Sequence, residues 1–290
     1  MKRVLFVSRD YNARNDGGSA VAKRNLAFLK ALGLQVAELT IGVPSLAVRL
    51  KNVLLRESYG DRRSLRKQLK YHLSQPYDFV FFDGSHYGVY LREFARHGFK
   101  TICFFHNVEV DYYQQKYKTT HQPQDKLMVG FIAHNERCCI DHASYLITLN
   151  ERDNRQLQKR YHRGADFILP TSFDAYDAAE HHDPVKLPEQ YLLFVGTNFF
   201  ANKEAMDYYI KEIAPSVHIP LLVVGNIAEA FQDATAMPNV HFLGRVDDLA
   251  PYYLQATAVV APILSGSGLK TKTVEALRYG KYVIGSAEAF

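Results

Sequence analysis

The sequence has little cysteine and no long apolar run. Only 3 of its 290 residues are cysteines, and two of them, Cys138 and Cys139, are adjacent, so a disulfide framework is not expected. Apolar runs such as Phe79–Phe82 end after a few residues, far short of the roughly 20 that a membrane-spanning helix needs. The chain begins Met-Lys-Arg without the pattern of a secretion signal. We therefore expect a cytoplasmic protein without spanning helices.

A metal site is also not expected. His134, Cys138 and His142 recur every four residues and would lie along one face of a helix. Such positions more often pack or face solvent than bind a metal ion, and we therefore assign no metal ligands.

Basic charge is concentrated in one segment. The chain carries a net charge of only +5, whereas residues 49–72 contain eight basic and two acidic residues. Leucines interleave with these charges, which predicts one or two amphipathic helices. That pattern is typical of peripheral attachment to an anionic membrane surface, and equally of a solvated helix face. We expect no nucleic-acid binding, because no recognised motif accompanies the charge. The basic residues are Arg49, Lys51, Arg56, Arg62, Arg63, Arg66, Lys67 and Lys70.

Short apolar, β-rich runs alternate with helical stretches along the whole chain. This order is typical of βαβ units and parallel sheets, and the length suits two domains. We predict an N-terminal domain over residues 1–172, a linker over 173–188 and a C-terminal domain over 189–290. The predicted strands of the two domains are Arg3–Ser8, Gln35–Ile41, Asp78–Asp83, Lys100–His106, Tyr145–Leu149 and Asp166–Leu169, then Tyr191–Gly196, Pro220–Gly225, Val240–Leu243, Ala258–Ile263 and Tyr282–Ile284.

Residues that directly follow strands are the main candidates for ligand binding, because ligands of open parallel sheets bind at the carboxyl ends of the strands. Gly17 and Gly18 precede the first predicted helix, where backbone amides can approach an anion or sugar oxygens. Their spacing fits neither the dinucleotide fingerprint nor the phosphate loop. His106, Asn107 and Glu109 follow the fourth predicted strand, and a neutral histidine there can hydrogen-bond a sugar hydroxyl.

The strongest motif lies near the end of the sequence. Gly266, Ser267 and Gly268 form a turn after a predicted strand, and Lys270 and Lys272 follow it into a helix. Amides and ammonium groups together predict a site for a diphosphate, whose charge they would stabilise as it leaves. Glu275, three residues after Lys272, stands among apolar residues and could accept hydrogen bonds from two ribose hydroxyls.

These motifs resemble those of retaining glycosyltransferases of family four, which have the GT-B fold and build bacterial surface polysaccharides and glycolipids. The resemblance covers both halves of the chain, and the segment Gly266–Leu277 is its specific part. It implies an α/β fold of two Rossmann-like doubly wound domains facing a cleft, with the acceptor on the N-terminal domain and the nucleoside diphosphate on the C-terminal domain. The supporting motifs are His106-Asn107-x-Glu109, Gly196-Thr197-Asn198 with Asn202-Lys203, and Gly244–Leu249.

The resemblance also implies roles for individual residues. Glu275 would hold the ribose, Lys203 and Lys270 or Lys272 would contact the phosphates, and His106 would sit beside the donor sugar. The catalytic candidates are His106, Lys203, Lys270 and Glu275. The candidates for binding the nucleotide sugar are Gly17, Gly18, Asn198, Arg245, Asp247, Gly266, Ser267, Gly268, Leu269, Lys272 and Glu275.

Two departures from the family pattern affect these expectations. Many members carry a glutamate eight positions before the one that binds the ribose, and Ser267 occupies that position here. The chain also ends at Phe290, one predicted strand past the motif, so we expect a C-terminal domain that is incomplete relative to the family.

The expected function is metal-independent transfer of a hexose-type sugar, with retained configuration, to a hydroxyl of a glycan or lipid-linked acceptor. The donor would be a nucleoside diphosphate sugar, with UDP favoured over GDP, and no further cofactor is expected. One alternative is a catalytically silent partner subunit of another glycosyltransferase. The other is a sugar-nucleotide epimerase of the same architecture.

Overall fold

The computed structural model describes residues 1–11, 17–172, 175–177, 179, 182–231, 238–266 and 270–290. The chain divides into two compact units, Met1–Thr171 and Ser172–Phe290. Of the predicted site residues, Ser267, Gly268 and Leu269 lie outside the described residues.

The described part of the N-terminal unit contains a parallel sheet of six strands in the order β2-β1-β3-β4-β5-β6. All six strands lie where the apolar runs predict them. The strands are β1 Arg3–Arg9, β2 Gln35–Ile41, β3 Phe79–Asp83, β4 Thr101–Phe105, β5 Tyr145–Thr148 and β6 Phe167–Ile168.

Helices connect these strands, and the basic segment forms two of them, α2 and α3. The helices of this unit are α1 Gly17–Ala31, α2 Leu46–Leu55, α3 Arg62–Leu73, α4 Gly88–Arg96, α5 Glu109–Thr120, α6 Pro123–His142 and α7 Glu151–Tyr161, with a 3₁₀ turn at Ser85–Tyr87.

Helix α5 is absent from the sequence prediction, because its residues show little apolar periodicity and only Val110 is buried. The helix is tied down by Glu136 of α6. One carboxylate oxygen of Glu136 accepts hydrogen bonds from the amides of Glu109 (2.6 Å) and Val110 (3.3 Å). A buried carboxylate thus satisfies two of the amides that every helix N-terminus leaves without partners.

The C-terminal unit has a second parallel sheet, whose described part contains five strands in the order β11-β10-β7-β8-β9. The predicted positions of these strands are confirmed as well. The strands are β7 Leu192–Val195, β8 Leu221–Val224, β9 Val240–Gly244, β10 Ala258–Ala261 and β11 Val283–Gly285.

Two helices of this unit differ from what the sequence periods predict. The periods predict a helix over Asn202–Ile213, and this segment is α-helical to Tyr208 and continues as a π-helix. They also predict a helix over Ile227–Thr235, where Asn226–Ala230 forms a 3₁₀ turn and residues 232–235 lie outside the described residues. The elements are α8 Phe200–Tyr208, α9 Ala250–Gln255 and α10 Thr271–Arg278, the π-helix Tyr209–Ile213, and 3₁₀ turns at Ala214–Ser216, Asn226–Ala230 and Ala287–Ala289.

No helix in the described ranges is long and apolar enough to cross a bilayer.

Helices α4 and α6 meet at a glycine. A Cβ atom added at Gly88, the first residue of α4, would lie 1.8 Å from the carbonyl oxygen of Asn135 in α6. The Asn135 side chain is buried and accepts hydrogen bonds from the Ser58 hydroxyl (3.1 Å) and the Val89 amide (3.3 Å). This contact joins three segments of the N-terminal unit, the Ser58 loop, α4 and α6, at one fully buried amide.

The variant Gly88→Ala should therefore destabilise the protein by about 2 kcal/mol or more, because backbone must move to admit the methyl group. Gly130→Ala is the matched control, since Gly130 also lies in a helix and an added Cβ there has no atom within 4 Å. That control should be neutral or gain up to about 1 kcal/mol from helix propensity. Denaturant unfolding of both variants measures the difference, and equal effects would show that the α4–α6 contact is not tight.

Candidate active site

The loops after two strands of the C-terminal unit, β7 and β8, are held against each other by close contacts. Gly225 follows β8 with φ of 114°, and a Cβ atom there would lie 2.1 Å from the carbonyl oxygen of Gly196, which follows β7. The amide of Asn198 donates to the Asn226 side chain at 2.9 Å. These contacts fix Asn198, a predicted binding residue, at the carboxyl edge of the sheet.

The ammonium group of Lys272 lies inside this edge. Its Nζ donates to Oδ1 of Asn202 at 2.6 Å and lies 4.2 Å from the centre of the Phe194 ring. Burial, and then the charge of Lys270, lowers the pKa of Lys272 to about 7. An anion bound beside Lys272 would stabilise the charged form of the lysine, so this position favours anion binding.

Lys270 lies beside the glycine turn. It is the N-cap residue of α10, and its Nζ is 3.1 Å from a carboxylate oxygen of Glu288. Gly266 has φ of 120°, and a Cβ atom there would lie 3.5 Å from Lys270 Nζ and 3.6 Å from the methyl group of Ala201. The structure thus brings Gly266, Lys270 and the first turn of α8 together.

Glu275 lies one turn further along α10. The Tyr253 hydroxyl donates to its Oε2 at 3.1 Å. Burial raises the pKa of Glu275, and the hydrogen bond from Tyr253 opposes that shift. The Tyr253 ring stacks on Tyr279 with 4.9 Å between ring centres. Tyr253 is a part of the site that sequence reasoning missed, because no motif marks it.

Three other predicted residues of this unit are exposed and make weaker contacts. Lys203 lies on the surface of α8, and Asp247 lies on the loop after β9. Nε of Arg245 is 3.9 Å from Glu229, and both side chains are more than half exposed, so this pair contributes little to stability. Their roles with the phosphates and base stay predictions.

In the N-terminal unit, His106 is anchored by a carboxylate. Its Nε2 is 3.0 Å from Oδ2 of Asp83, whose side chain is 2% exposed. Asp83 is the last residue of β3, and His106 directly follows β4. Asp83 was missed, although its position at a strand end is the signal that identified His106.

Glu109 and Glu136 form a second polar cluster at this edge. Burial raises the pKa of Glu109 to about 8, with Glu136 adding to the shift. Burial raises the pKa of Glu136 to about 7 against its hydrogen bonds from Tyr161 and two amides. Burial lowers the pKa of His86, 3.7 Å from Glu109, to about 4. At pH 7 His86 is therefore neutral and Glu109 mostly protonated, so the two do not form an ion pair.

Asn107 does not cap α5, whose N-cap residue is Val108. Its Oδ1 is buried and has no hydrogen-bond partner among the described residues. Gly17 and Gly18 open helix α1 after β1, where Arg9 donates to the Ser19 hydroxyl at 3.3 Å. Both predicted glycines therefore lie at a helix N-terminus, and their contact with substrate stays a prediction.

Within the described ranges, no group of three or more potential ligands could hold a metal ion. Of the three residues considered from the sequence, Cys138 and His134 contact each other at 3.7 Å.

The sequence of the C-terminal unit resembles a known protein family. Residues 189–289 match the family model described as glycosyl transferases group 1. The match includes Lys270, Lys272 and Glu275, so these residues of the site lie within the segment that resembles the family. No curated protein matches the sequence of this chain.

Solved glycosyltransferase structures resemble the chain over nearly its full length. Anabaena HepE in complex with UDP and glucose has a TM-score of 0.61 at 14% identity, covering 99% of this chain and 81% of that one. WaaG, a glycosyltransferase involved in lipopolysaccharide biosynthesis, has a TM-score of 0.64 at 19% identity, covering 98% and 81%. The lipopolysaccharide outer core galactosyltransferase WaaB has a TM-score of 0.60 at 12% identity, covering 98% and 80%. With its two parallel-sheet units, this chain has the GT-B fold.

Burial of Lys272 has a consequence for stability that depends on pH. Below about pH 7 the lysine is charged in both folded and unfolded protein, so its burial cost is fully present. Between about pH 7 and 10.5 the folded state releases its proton first, and the free energy of unfolding rises with pH.

Lys272→Met should therefore stabilise the unliganded protein by on the order of a few kcal/mol at pH 7, and by progressively less toward pH 10. Thermal unfolding at both pH values measures this gain. Lys211→Met, at an exposed lysine of the π-helix, serves as control and should change little. An equal effect of Lys272→Met at both pH values would contradict the burial cost of its ammonium group.

Proposed function

We propose that this chain transfers a hexose-type sugar from a nucleoside diphosphate sugar to a hydroxyl of a glycan or lipid-linked acceptor, with retained anomeric configuration. One observation carries the proposal. Lys272 and Glu275 stand on the first two turns of α10 at a carboxyl edge of a parallel sheet, within the segment that matches the group 1 family.

The chemistry of these two groups suits the two parts of the donor. The ammonium group of Lys272, aided by Lys270, would stabilise the negative charge that develops on the diphosphate as it leaves. We propose that these cations supply the positive charge at the diphosphate without a metal ion. The carboxylate of Glu275 can accept hydrogen bonds from the ribose hydroxyls, because no described residue hydrogen-bonds its Oε1.

The solved structures favour particular donors and acceptors. HepE is bound to UDP and glucose, and the pneumococcal transferase GtfA to UDP and GlcNAc, which supports UDP over GDP as the donor base. WaaG and WaaB act in lipopolysaccharide synthesis, which supports a surface glycan or glycolipid acceptor for this chain. The departing phosphate oxygen would take the acceptor proton, so this reaction requires no protein nucleophile.

Glu275→Ala should weaken UDP binding by about 10- to 100-fold, the loss expected for charged hydrogen bonds to two hydroxyls. Isothermal titration calorimetry with UDP measures the change. Glu212→Ala, at an exposed glutamate of the π-helix, is the control and should bind UDP like the unchanged protein. Unaltered affinity in Glu275→Ala would remove the ribose role and with it the main support for the donor site.

Transfer can be separated from the alternative activities by its products. Incubation with UDP-glucose and no acceptor should give slow release of UDP and glucose. Conversion of UDP-glucose to an epimeric UDP-sugar, followed by NMR, would instead identify an epimerase. Neither reaction would point to a silent binding subunit.

We also propose peripheral attachment to an anionic membrane through α2 and α3. Leu46, Leu50 and Leu54 recur every four residues along α2 and are 72%, 55% and 70% exposed. An exposed leucine stripe on one helical face is unusual for a solvated surface and suits insertion among lipid headgroups.

Helix α3 supplies charge rather than apolar contacts. Leu65 and Leu69, which interleave with the basic residues in the sequence, are buried in the core of the N-terminal unit. The outward side of α3 is basic, and one of its cations, Arg62, pairs with Glu93 at 2.6 Å. The exposed basic residues of α3 are Arg62, Arg63, Arg66, Lys67 and Lys70. Positive charge beside a leucine stripe complements an anionic bilayer.

Exchange of both Leu50 and Leu54 for Glu should abolish co-sedimentation with vesicles that contain phosphatidylglycerol, because it removes apolar contact and adds repulsion. The control is Leu277→Glu, at a leucine of α10 that is 61% exposed in the other unit, and it should sediment like the unchanged protein. If the unchanged protein stays in the supernatant at low salt, or if both variants sediment equally, the membrane proposal is wrong.

A further inference from the structure

Asp83, Phe104 and His106 share one face of the sheet in the N-terminal unit. The parallel pairing of β3 and β4 places Asp83 opposite Phe104, and His106 lies two residues beyond Phe104 on the same side. The His106 ring meets the Phe104 ring edge-on, with 5.4 Å between centres. Phe104 and Asp83 therefore hold the imidazole from two directions.

Asp83 is itself held by a second residue. Its Oδ1 accepts a hydrogen bond from Nδ2 of Asn25 at 2.8 Å, and its Oδ2 lies 3.0 Å from Nε2 of His106. Asn25 and Asp83 are 3% and 6% exposed. A buried carboxylate with N–H donors at both oxygens is fixed in orientation and accepts from each.

The orientation of the Asn25 amide follows from its other neighbour. The Arg24 guanidinium donates to Oδ1 of Asn25 at 3.0 Å, and a guanidinium can only donate. The oxygen of Asn25 must face Arg24, so its amino group must face Asp83. The hydrogen bonds that link Arg24, Asn25, Asp83 and His106 therefore have a defined direction. Arg24 donates to Asn25, and Asn25 and His106 both donate to Asp83.

From this arrangement we infer that Asp83 is a positioning residue, which accepts from Nε2–H of His106 and so selects, in the uncharged ring, the tautomer with its proton on Nε2. Nδ1 then keeps its lone pair and accepts a hydrogen bond from a hydroxyl of the donor sugar. This inference rests on the proposed function only for the identity of that hydroxyl. Among the described residues, none hydrogen-bonds Nδ1 of His106.

The direction of the chain makes a specific prediction for Asp83→Asn. Because Asn25 still presents its amino group, the new amide must turn its oxygen toward Asn25 and its own amino group toward His106. Nε2 then has to accept, and the proton moves to Nδ1. Nδ1 of His106 would then offer the sugar hydroxyl an N–H donor in place of an acceptor. The side chain at position 83 would keep nearly the same size.

The exchange of both residues, Asn25→Asp with Asp83→Asn, should reverse this effect. The carboxylate at position 25 accepts from Arg24 and from the amide at position 83. The oxygen of that amide then faces Nε2 again. A merely structural role of Asp83 predicts no such restoration of the tautomer.

The test is ¹⁵N-NMR of the histidine rings in the full chain, at a pH where the same spectra show the His106 ring uncharged, with His106 assigned from its absence in His106→Gln. The unchanged protein and the double variant should show protonated Nε2, and Asp83→Asn should show protonated Nδ1. Asp78→Asn is the matched control, since Asp78 precedes the same strand, accepts from the Arg3 amide at 2.6 Å and should leave the His106 signals in place.

Hydrolysis of UDP-glucose separates the inference from the proposed function. Asp83→Asn should lower kcat by about tenfold or more while leaving the Kd for UDP unchanged, and the double variant should recover most of the rate. Protonated Nε2 in Asp83→Asn, or protonated Nδ1 in the double variant, would overturn the positioning role whether or not UDP-glucose is hydrolysed. An inverted tautomer with unchanged kcat would instead overturn the contact between Nδ1 and the sugar.

Discussion

The ammonium group of Lys272 is the constraint on which the chemistry at the carboxyl edge of the C-terminal sheet depends. It brings together three segments that are distant in the sequence, through the Phe194 ring of β7, the Asn202 amide of α8 and its own position in α10. Removing a charge from water is unfavourable, and a cation–π contact with one hydrogen bond offsets only part of that cost. The part of the desolvation cost that these contacts do not offset lowers the pKa of Lys272. A diphosphate beside this lysine would supply a negative charge and further hydrogen-bond acceptors for its ammonium group. The unliganded edge is therefore suited to an anion.

The N-terminal unit places the opposite chemistry at the equivalent edge of its own sheet. Carboxyl groups of Asp83, Glu109 and Glu136 lie at or behind the carboxyl ends of β3 and β4, beside two histidines. Burial keeps Glu109 mostly neutral at pH 7, whereas Asp83 receives N–H donors at both oxygens. The two edges therefore differ in chemistry, with lysine cations at the edge of one sheet and carboxyl and imidazole groups at the edge of the other.

Much of this fold follows from the sequence, because buried parallel strands are short continuous apolar runs that few other structures share. Strand positions and the motif from Gly266 to Glu275 required no coordinates. Helix α5 could not be predicted, since a carboxylate from α6 stabilises it and its own residues lack an apolar period. Tyr253 could not be predicted from the sequence either, because its hydrogen bond to Glu275 joins two separate helices, α9 and α10. Asp83 could have been found, since it ends a strand just as His106 follows one. The tautomer of His106 depends on side-chain directions that no sequence pattern carries.

If the carboxyl edge of the C-terminal sheet binds a nucleoside diphosphate, a crystal structure of the full chain with UDP should show it there. We expect a diphosphate oxygen within hydrogen-bonding distance of Lys272 Nζ, with the ribose hydroxyls on the Glu275 carboxylate. UDP bound elsewhere, or bound without contact to α10, would show that this edge is not the donor site.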